Sequence, residues 1–206
     1  MRIPTKAQCY RLMCAMEMLD HIAAHCIQVC RVATFLAGHL NARQSRLNLE
    51  LIRAAALLHD ITKTRSFKTK ENHALTGGRF LAEQGYPHIG DLVRQHVRLD
   101  HYADPPQLGE AEIINYADKR VLHDRIVSLD QRLDYILEKY GQLPEHRERI
   151  RRLWERTRKL EARIFGDLPF DPQDLNLLLD VEMPPEDFHE YRQVCRSGIT
   201  KPIKSG

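Results

Sequence analysis

His25, His59, Asp60, His73, His96 and Asp118 each interrupt an apolar stretch of this sequence with a side chain able to hold a cation. His59 and Asp60 stand side by side at the end of AAALLHD, where small and apolar residues run straight into an imidazole and a carboxylate. His25 sits on an inward apolar stripe, His73 opens HALTGGRFLAEQG, His96 lies near the end of a helical stretch, and Asp118 breaks IINYADKRV beside Ile113, Ile114 and Ala117. Imidazole with carboxylate suits first-row transition metals, and an aspartate between two ions can give one oxygen to each. A single histidine on an apolar face is more often a hydrogen-bonded core residue, and the chain has 11 His. Such residues at the starts, ends and inner faces of successive helices point instead to a shared centre, which facing helices of a bundle can assemble.

Hydrophobic spacing supplies those helices. Thr5 with Gln8 forms a capping box that opens a helix through about Asp20. His25, Val29, Val32, Leu36 and Leu40 form one face of a second helix, and NLELIRAAALLHD reads as a buried, central third. Residues 61–71 read as a basic loop with Lys63, Arg65, Lys68 and Lys70. A helix from His73 closes at Gly85, another runs from His88 to Val97, and 98–109 is a loop. Residues 109–129 read as one helix, a further helix stops at Gly141, and Pro144 opens the next. That helix carries Ile150, Leu153, Trp154, Thr157, Leu160 and Ile164 on one stripe. Residues 167–206 read as a packed arm ending in a loose basic tail. The expected fold is all-α.

Composition narrows the function. With 31 Lys and Arg against 28 Asp and Glu over 206 residues, the net charge of +3 argues for neither a nucleic-acid nor a membrane binder. Residues 145–163 hold eight basic side chains against four Glu. Their alternating signs predict a solvated face, with contact to RNA or a phosphate-rich partner as the alternative. No apolar run approaches the roughly 18 residues of a membrane span. The N-terminus lacks a secretory pattern. Cys9, Cys14, Cys26, Cys30 and Cys195 show no framework spacing and read as reduced thiols of a cytoplasmic protein.

In chain order, HCIQVCRVATFLA, LIRAAALLHDITKT, HALTGGRFL and IINYADKRV resemble four segments of the HD superfamily of metal-dependent phosphohydrolases. The likeness covers roughly residues 5–125. It implies an HD-domain helical bundle over 1–129 with a metal site in its core, and a C-terminal helical extension over 130–206. His25, His59, Asp60 and Asp118 match the core ligands, and His73 and His96 match the two histidines that hold a second metal in the dinuclear branch. Lys63 matches a basic residue found just after the HD pair, while Thr62 stands where many relatives have glycine.

The implied chemistry is hydrolysis of a phosphoester or phosphoanhydride, in a nucleotide, by a metal-activated water. Asp60 and Lys63 take the catalytic roles, with Arg65, His101, Lys119 and Arg120 meeting substrate. The implied cofactor is one or two divalent transition-metal ions, iron or manganese first, with magnesium, nickel, cobalt or zinc as alternatives. The expected partner is a phosphorylated small molecule; membrane and nucleic acid are not expected, and a homo-oligomer stays open. Within the dinuclear branch the likeness points to bacterial enzymes that split diadenosine tetraphosphate. Two alternatives remain: a di-iron oxygenase on the same ligand set, as in inositol oxygenase, or a non-catalytic regulatory module. His96 is preferred over His101 as ligand because His101 lies in a loop. His123-Asp124 is expected at the surface. HIAAH lacks the glutamate of a zinc protease motif, and Cys26 with Cys30 lack a second thiol pair.

Overall fold

Thr5 and Gln8 make the reciprocal cap that their spacing predicts, each side chain accepting from the other's backbone amide. They open α1 (Lys6–Ala15). The helix stops short of Asp20 because Glu17 adopts a φ of 49° and the Met18 amide turns back to the Met13 carbonyl. This computed structural model describes residues 1–43, 45–101, 108–179 and 181–198. The expected basic tail over 199–206 and residues 102–107 of the expected loop lie outside the described residues.

α2 (Asp20–Asn41) buries Val29, Val32, Leu36 and Leu40, the predicted stripe. α3 (Leu49–Leu58), capped by Asn48, buries all but three of its residues. Each fully buried leucine or isoleucine stabilises the fold by about 1.5–3 kcal/mol over exposure, and Ile52, Leu57 and Leu58 are all at that limit. Next come α5 (His73–Glu83), α6 (Pro87–Arg94) and α7 (Glu110–Lys119). α3 packs against α1, α2, α6 and α7, so it is central, as its composition predicts. α5 and α6 form a tight antiparallel hairpin closed by Gly85 at φ 83°. A Cβ on Gly78 or Gly90 would run into the other's backbone carbonyl, so the two helices meet backbone to backbone.

Two elements correct the sequence reading. The expected basic loop 61–71 contains a short helix, α4 (Lys63–Thr69), ended by Lys70 in the left-handed region. Its polar residues give no apolar period to read. The expected helix over 109–129 ends at Lys119 and passes into a small hairpin, β1 (Val121–Leu122) with β2 (Arg125–Ile126). Val121 and Ile126 are β-branched and buried. His123 turns the chain at φ 56° without the glycine or asparagine that usually marks such a bend.

α8 (Leu129–Tyr140) and α9 (Pro144–Gly166) pair with one another, and α9 also packs on α7. Ile150, Trp154, Thr157, Leu160 and Ile164 are buried, and the Trp154 indole donates to the Leu129 carbonyl at 2.8 Å. α10 (Leu175–Leu178) and α11 (Pro185–Gly198) follow. α11 lies on α1, where Cys14 and Cys195 form a disulfide with their Cα atoms 5.4 Å apart. This corrects the expectation of reduced thiols for these two cysteines. Their separation of 181 residues leaves no spacing signal. Among the described residues no helix is long and apolar enough to cross a membrane.

Candidate metal centre

His59 and His96 occupy equivalent local positions. His59 follows the last residue of α3, and His96 lies two residues past the end of α6, rather than within it as expected. A helix end leaves its last carbonyls without partners. Each of these imidazoles folds back to one of them: His59 Nδ1 donates to the Ala56 carbonyl at 2.8 Å and His96 Nδ1 to the Val93 carbonyl at 2.6 Å. His25, in mid-α2, does the same over long range, its Nδ1 donating to the His123 carbonyl at 2.8 Å. A carbonyl only accepts, so each Nδ1 carries the proton and each Nε2 presents a lone pair inward.

Those lone pairs meet oxygens that are also acceptors. His25 Nε2 lies 3.1 Å from Asp118 Oδ1, and His59 Nε2 lies 3.6 Å from the same atom and 3.7 Å from Asp60 Oδ2. The other Asp60 oxygen, Oδ1, faces His73 Nε2 at 3.1 Å and His96 Nε2 at 3.5 Å. His73 Nε2 and His96 Nε2 are 3.2 Å apart. Acceptors converging this closely repel one another unless a cation lies among them. Two buried atoms, His59 Nε2 and Asp60 Oδ1, have no hydrogen-bond partner, which is costly in a protein interior without such a cation. The donor set therefore fits a divalent metal, and two triads have ligand atoms within 4.8 Å of one another: His25, His59 and Asp118, and His59, Asp60 and His96.

Burial lowers the His59 pKa, but Cys26, Asp60 and Asp118 outweigh it and push the imidazole well above its ordinary range, so without a metal a proton stands in for the cation between the two carboxylates. Burial raises the Asp60 pKa, but His59, His73, His96 and Lys63 outweigh it and hold the carboxyl well below its ordinary range. Burial likewise opposes ionisation of Asp118, and His25, His59 and Lys119 overcome it. Burial pushes His96 down to about 4, so its imidazole is neutral and free to ligate at pH 7.

The remaining predicted residues divide. Lys63 Nζ lies 3.7 Å from Asp60 Oδ1 and 3.2 Å from His73 Nε2, at the mouth of the centre. Lys119 is buried, donating to the carbonyls of His96 and Asn115 at 3.0 Å each, so it braces the centre instead of reaching out to phosphates. Arg120 corrects its expectation outright. It is 2% exposed and points away, donating to the carbonyls of Val127 and Pro172 and to the Tyr116 hydroxyl. Arg65 is exposed and paired with Glu71 at 2.7 Å, and His101 is exposed; neither is brought to the centre.

Thr62, the departure from glycine, has φ −104° and needs no glycine. Its hydroxyl lies 2.9 Å from the His73 carbonyl and ties the start of α5 beside Asp60. Sequence reasoning missed two contributors. The His123 ring is exposed as expected, but its carbonyl orients His25. The Asn115 amide donates to the carbonyls of Gln95 and His96 at 3.0 and 2.9 Å. Its position one turn before Lys119, on the same side of α7, was the available signal.

Residues 22–121 match the family model described as HD domain. A ribonuclease Y of Rubrobacter xylanophilus is 33% identical over 99 residues, 48% of this chain and 18% of that protein. A tRNA (cytidine(56)-2'-O)-methyltransferase of Picrophilus torridus is 26% identical over 182 residues, 82% of this chain and 51% of that protein. An uncharacterized protein of Methanocaldococcus jannaschii is 25% identical over 124 residues, 54% of this chain and 72% of that one. The chain thus spans about a fifth and about half of the first two relatives. No solved structure matches at a comparable level of significance.

Proposed function

Because residues 22–121 are an HD domain, of the metal-dependent phosphohydrolase superfamily, we propose that this chain hydrolyses a phosphoester or phosphoanhydride bond of a nucleotide at a two-metal centre. The observation that carries the reading is Asp60, whose two oxygens face different imidazoles, Oδ2 toward His59 and Oδ1 toward His73 and His96. His25, His59 and Asp118 would hold one divalent ion and His73 and His96 the other, with Asp60 between them. When bound, such ions supply a water of lowered pKa and polarise phosphoryl oxygens.

The chain's own groups do the rest. Buried Nδ1–carbonyl hydrogen bonds fix three imidazoles in one tautomer, so the site needs little reorganisation to bind. Lys63, half-buried at the mouth, places a positive charge where charge grows on the phosphoryl group in flight. The centre opens into a cavity of about 1680 Å³ that His25, Asp60, His73, His96 and Asp118 all line. The division into an HD portion to residue 129 and an extension from 130 belongs to this reading, with the extension forming the far side of that cavity. Metal analysis of the purified protein, with a nucleotide panel scored for phosphate release and for oxygen consumption, tests it. Two ions per chain and phosphate release are expected; oxygen uptake by a reduced di-iron form without phosphate release would replace the hydrolase with an oxygenase.

A further inference from the structure

The wall of the cleft opposite the candidate centre comes from α8 and α9, and it is neither apolar nor neutral. Ten lysines and arginines line the cleft against six carboxylates, two of which, Asp60 and Asp118, belong to the centre. On α9 the contribution is ordered. Arg149, Arg152 and Arg156 follow one another at spacings of three and four on a single helix face that borders the cleft. Over those seven residues the helix rises about 10 Å, so the guanidinium groups can meet successive phosphates of one strand. Glu145 and Glu148 share this face, and Glu148 holds Arg152 Nε at 2.8 Å. The solvated face predicted for this helix is therefore exposed, but to the cleft.

Exposed apolar side chains gather in the same place. Phe67, Leu75, Val97 and Tyr140 are each 40–54% exposed, and all four line the cleft. Also in the lining, Tyr135 and Tyr140 share the ammonium of Lys139, 5.3 and 5.6 Å from their ring centres. Flat apolar surfaces interleaved with cations suit stacked bases joined by phosphates. The volume of about 1680 Å³ also exceeds the roughly 300–1,000 Å³ typical of small-ligand sites.

We propose that the cleft binds single-stranded nucleic acid, with Arg149, Arg152 and Arg156 on its phosphates and Phe67, Leu75 and Tyr140 against its bases. This rests on the phosphohydrolase reading for what happens at the metal end, but binding by the cleft can be measured apart from turnover. Fluorescence anisotropy of the metal-loaded protein with labelled oligouridylates and oligodeoxythymidylates, from two to about ten nucleotides long, carries the test. Phosphorothioate linkages slow hydrolysis during the measurement. Hydrolysis of bis(p-nitrophenyl) phosphate is followed in parallel as the report on the proposed chemistry.

Affinity is expected to rise with length in at least one series, and the two series show whether the 2′-hydroxyl matters. Three phosphate contacts on a single strand correspond to a log–log salt slope of about −2, a loss of roughly twentyfold in affinity between about 50 and 200 mM salt. The combined variant Arg149→Gln, Arg152→Gln and Arg156→Gln should lose both the length preference and most of that slope. The variant Arg151→Gln with Lys159→Gln removes two cations of the same helix that do not border the cleft and should keep both. Length-independent or absent binding overturns the inference, even where the small diester is hydrolysed. Length-dependent binding that the cleft variant preserves also overturns it. Binding as expected, with no hydrolysis of the diester or of any ester or anhydride in the nucleotide panel, would uphold the cleft and sink the proposed chemistry.

Discussion

At one end of the candidate centre, His25 and Asp118 come from helices 93 residues apart in sequence. At the other, His73 opens one arm of a helical hairpin and His96 lies just past the end of the other arm, 23 residues away. The first end is held by the packing of α2 on α7, in the middle of the hydrophobic core. The second is held by the close approach of Gly78 to Gly90 and by Asn115 and Lys119 donating to the His96 carbonyl. Breaking the first end means breaking the fold, whereas the second can be loosened by a single polar deletion. The two ends should therefore differ in how separably they lose metal.

Asp60 joins them, so its removal should have the largest effect. Asp60→Ala is expected to abolish turnover and to strip both ions, because no remaining carboxylate faces the imidazoles of both ends. Atomic absorption on the purified variant decides this; two ions retained per chain would show that Asp60 does not bridge the ends. Next comes Lys63→Ala, which removes a charge at the mouth but no proposed ligand. Its kcat should fall on the order of 10²–10³-fold with metal content unchanged. Loss of an ion in this variant would place Lys63 among the structural supports of His73, 3.2 Å away.

How much of this was legible depended on whether a signal was local. The apolar lead-in to His59-Asp60 marked a buried helix ending at a site, and α3 is that helix. The Thr5 cap, the α2 stripe and the α9 stripe were equally plain, since each repeats within a few residues. The polar helix α4 has no apolar face, and the hairpin after Lys119 turns on a histidine instead of a glycine, so neither announced itself. Arg120 read as a substrate-binding cation, but the fold brings the Tyr116 hydroxyl and the Val127 and Pro172 carbonyls around it. The partners that aim the imidazoles were illegible for a deeper reason. They are backbone carbonyls, which every residue carries, and only folding selects those of Ala56, Val93 and His123.

Asn115 tests the separability of the two ends directly. Its side chain touches no proposed ligand atom, only the carbonyls of Gln95 and His96. Asn115→Ala should therefore weaken the ion at His73 and His96 by about 10–100-fold, as lost supporting hydrogen bonds do. The ion at His25 and Asp118 should stay. Titration with a chelator should show one ion leaving early and one late, where the parent releases both late. Simultaneous early loss of both would mean that the ends are coupled through Asp60 more tightly than their separate supports suggest.

The smallest expected effect belongs to His101, and it completes the comparison because His101 was the rival of His96. His96 is 1% exposed, its Nδ1 is committed to the Val93 carbonyl, and its Nε2 lies 3.5 Å from Asp60 Oδ1. His101 is exposed, follows an Asp100 whose carboxylate is paired with Arg94, and does not line the cavity. An exposed imidazole loses side-chain entropy on ligating a metal, a cost that the helix-end histidines have already met on folding. His101→Ala should therefore leave two ions per chain and the chelator profile of the parent, while His96→Ala should retain one. If His101→Ala loses an ion and His96→Ala keeps both, the hairpin end of the centre is assembled around the wrong histidine, and the loop after α6 supplies the ligand instead.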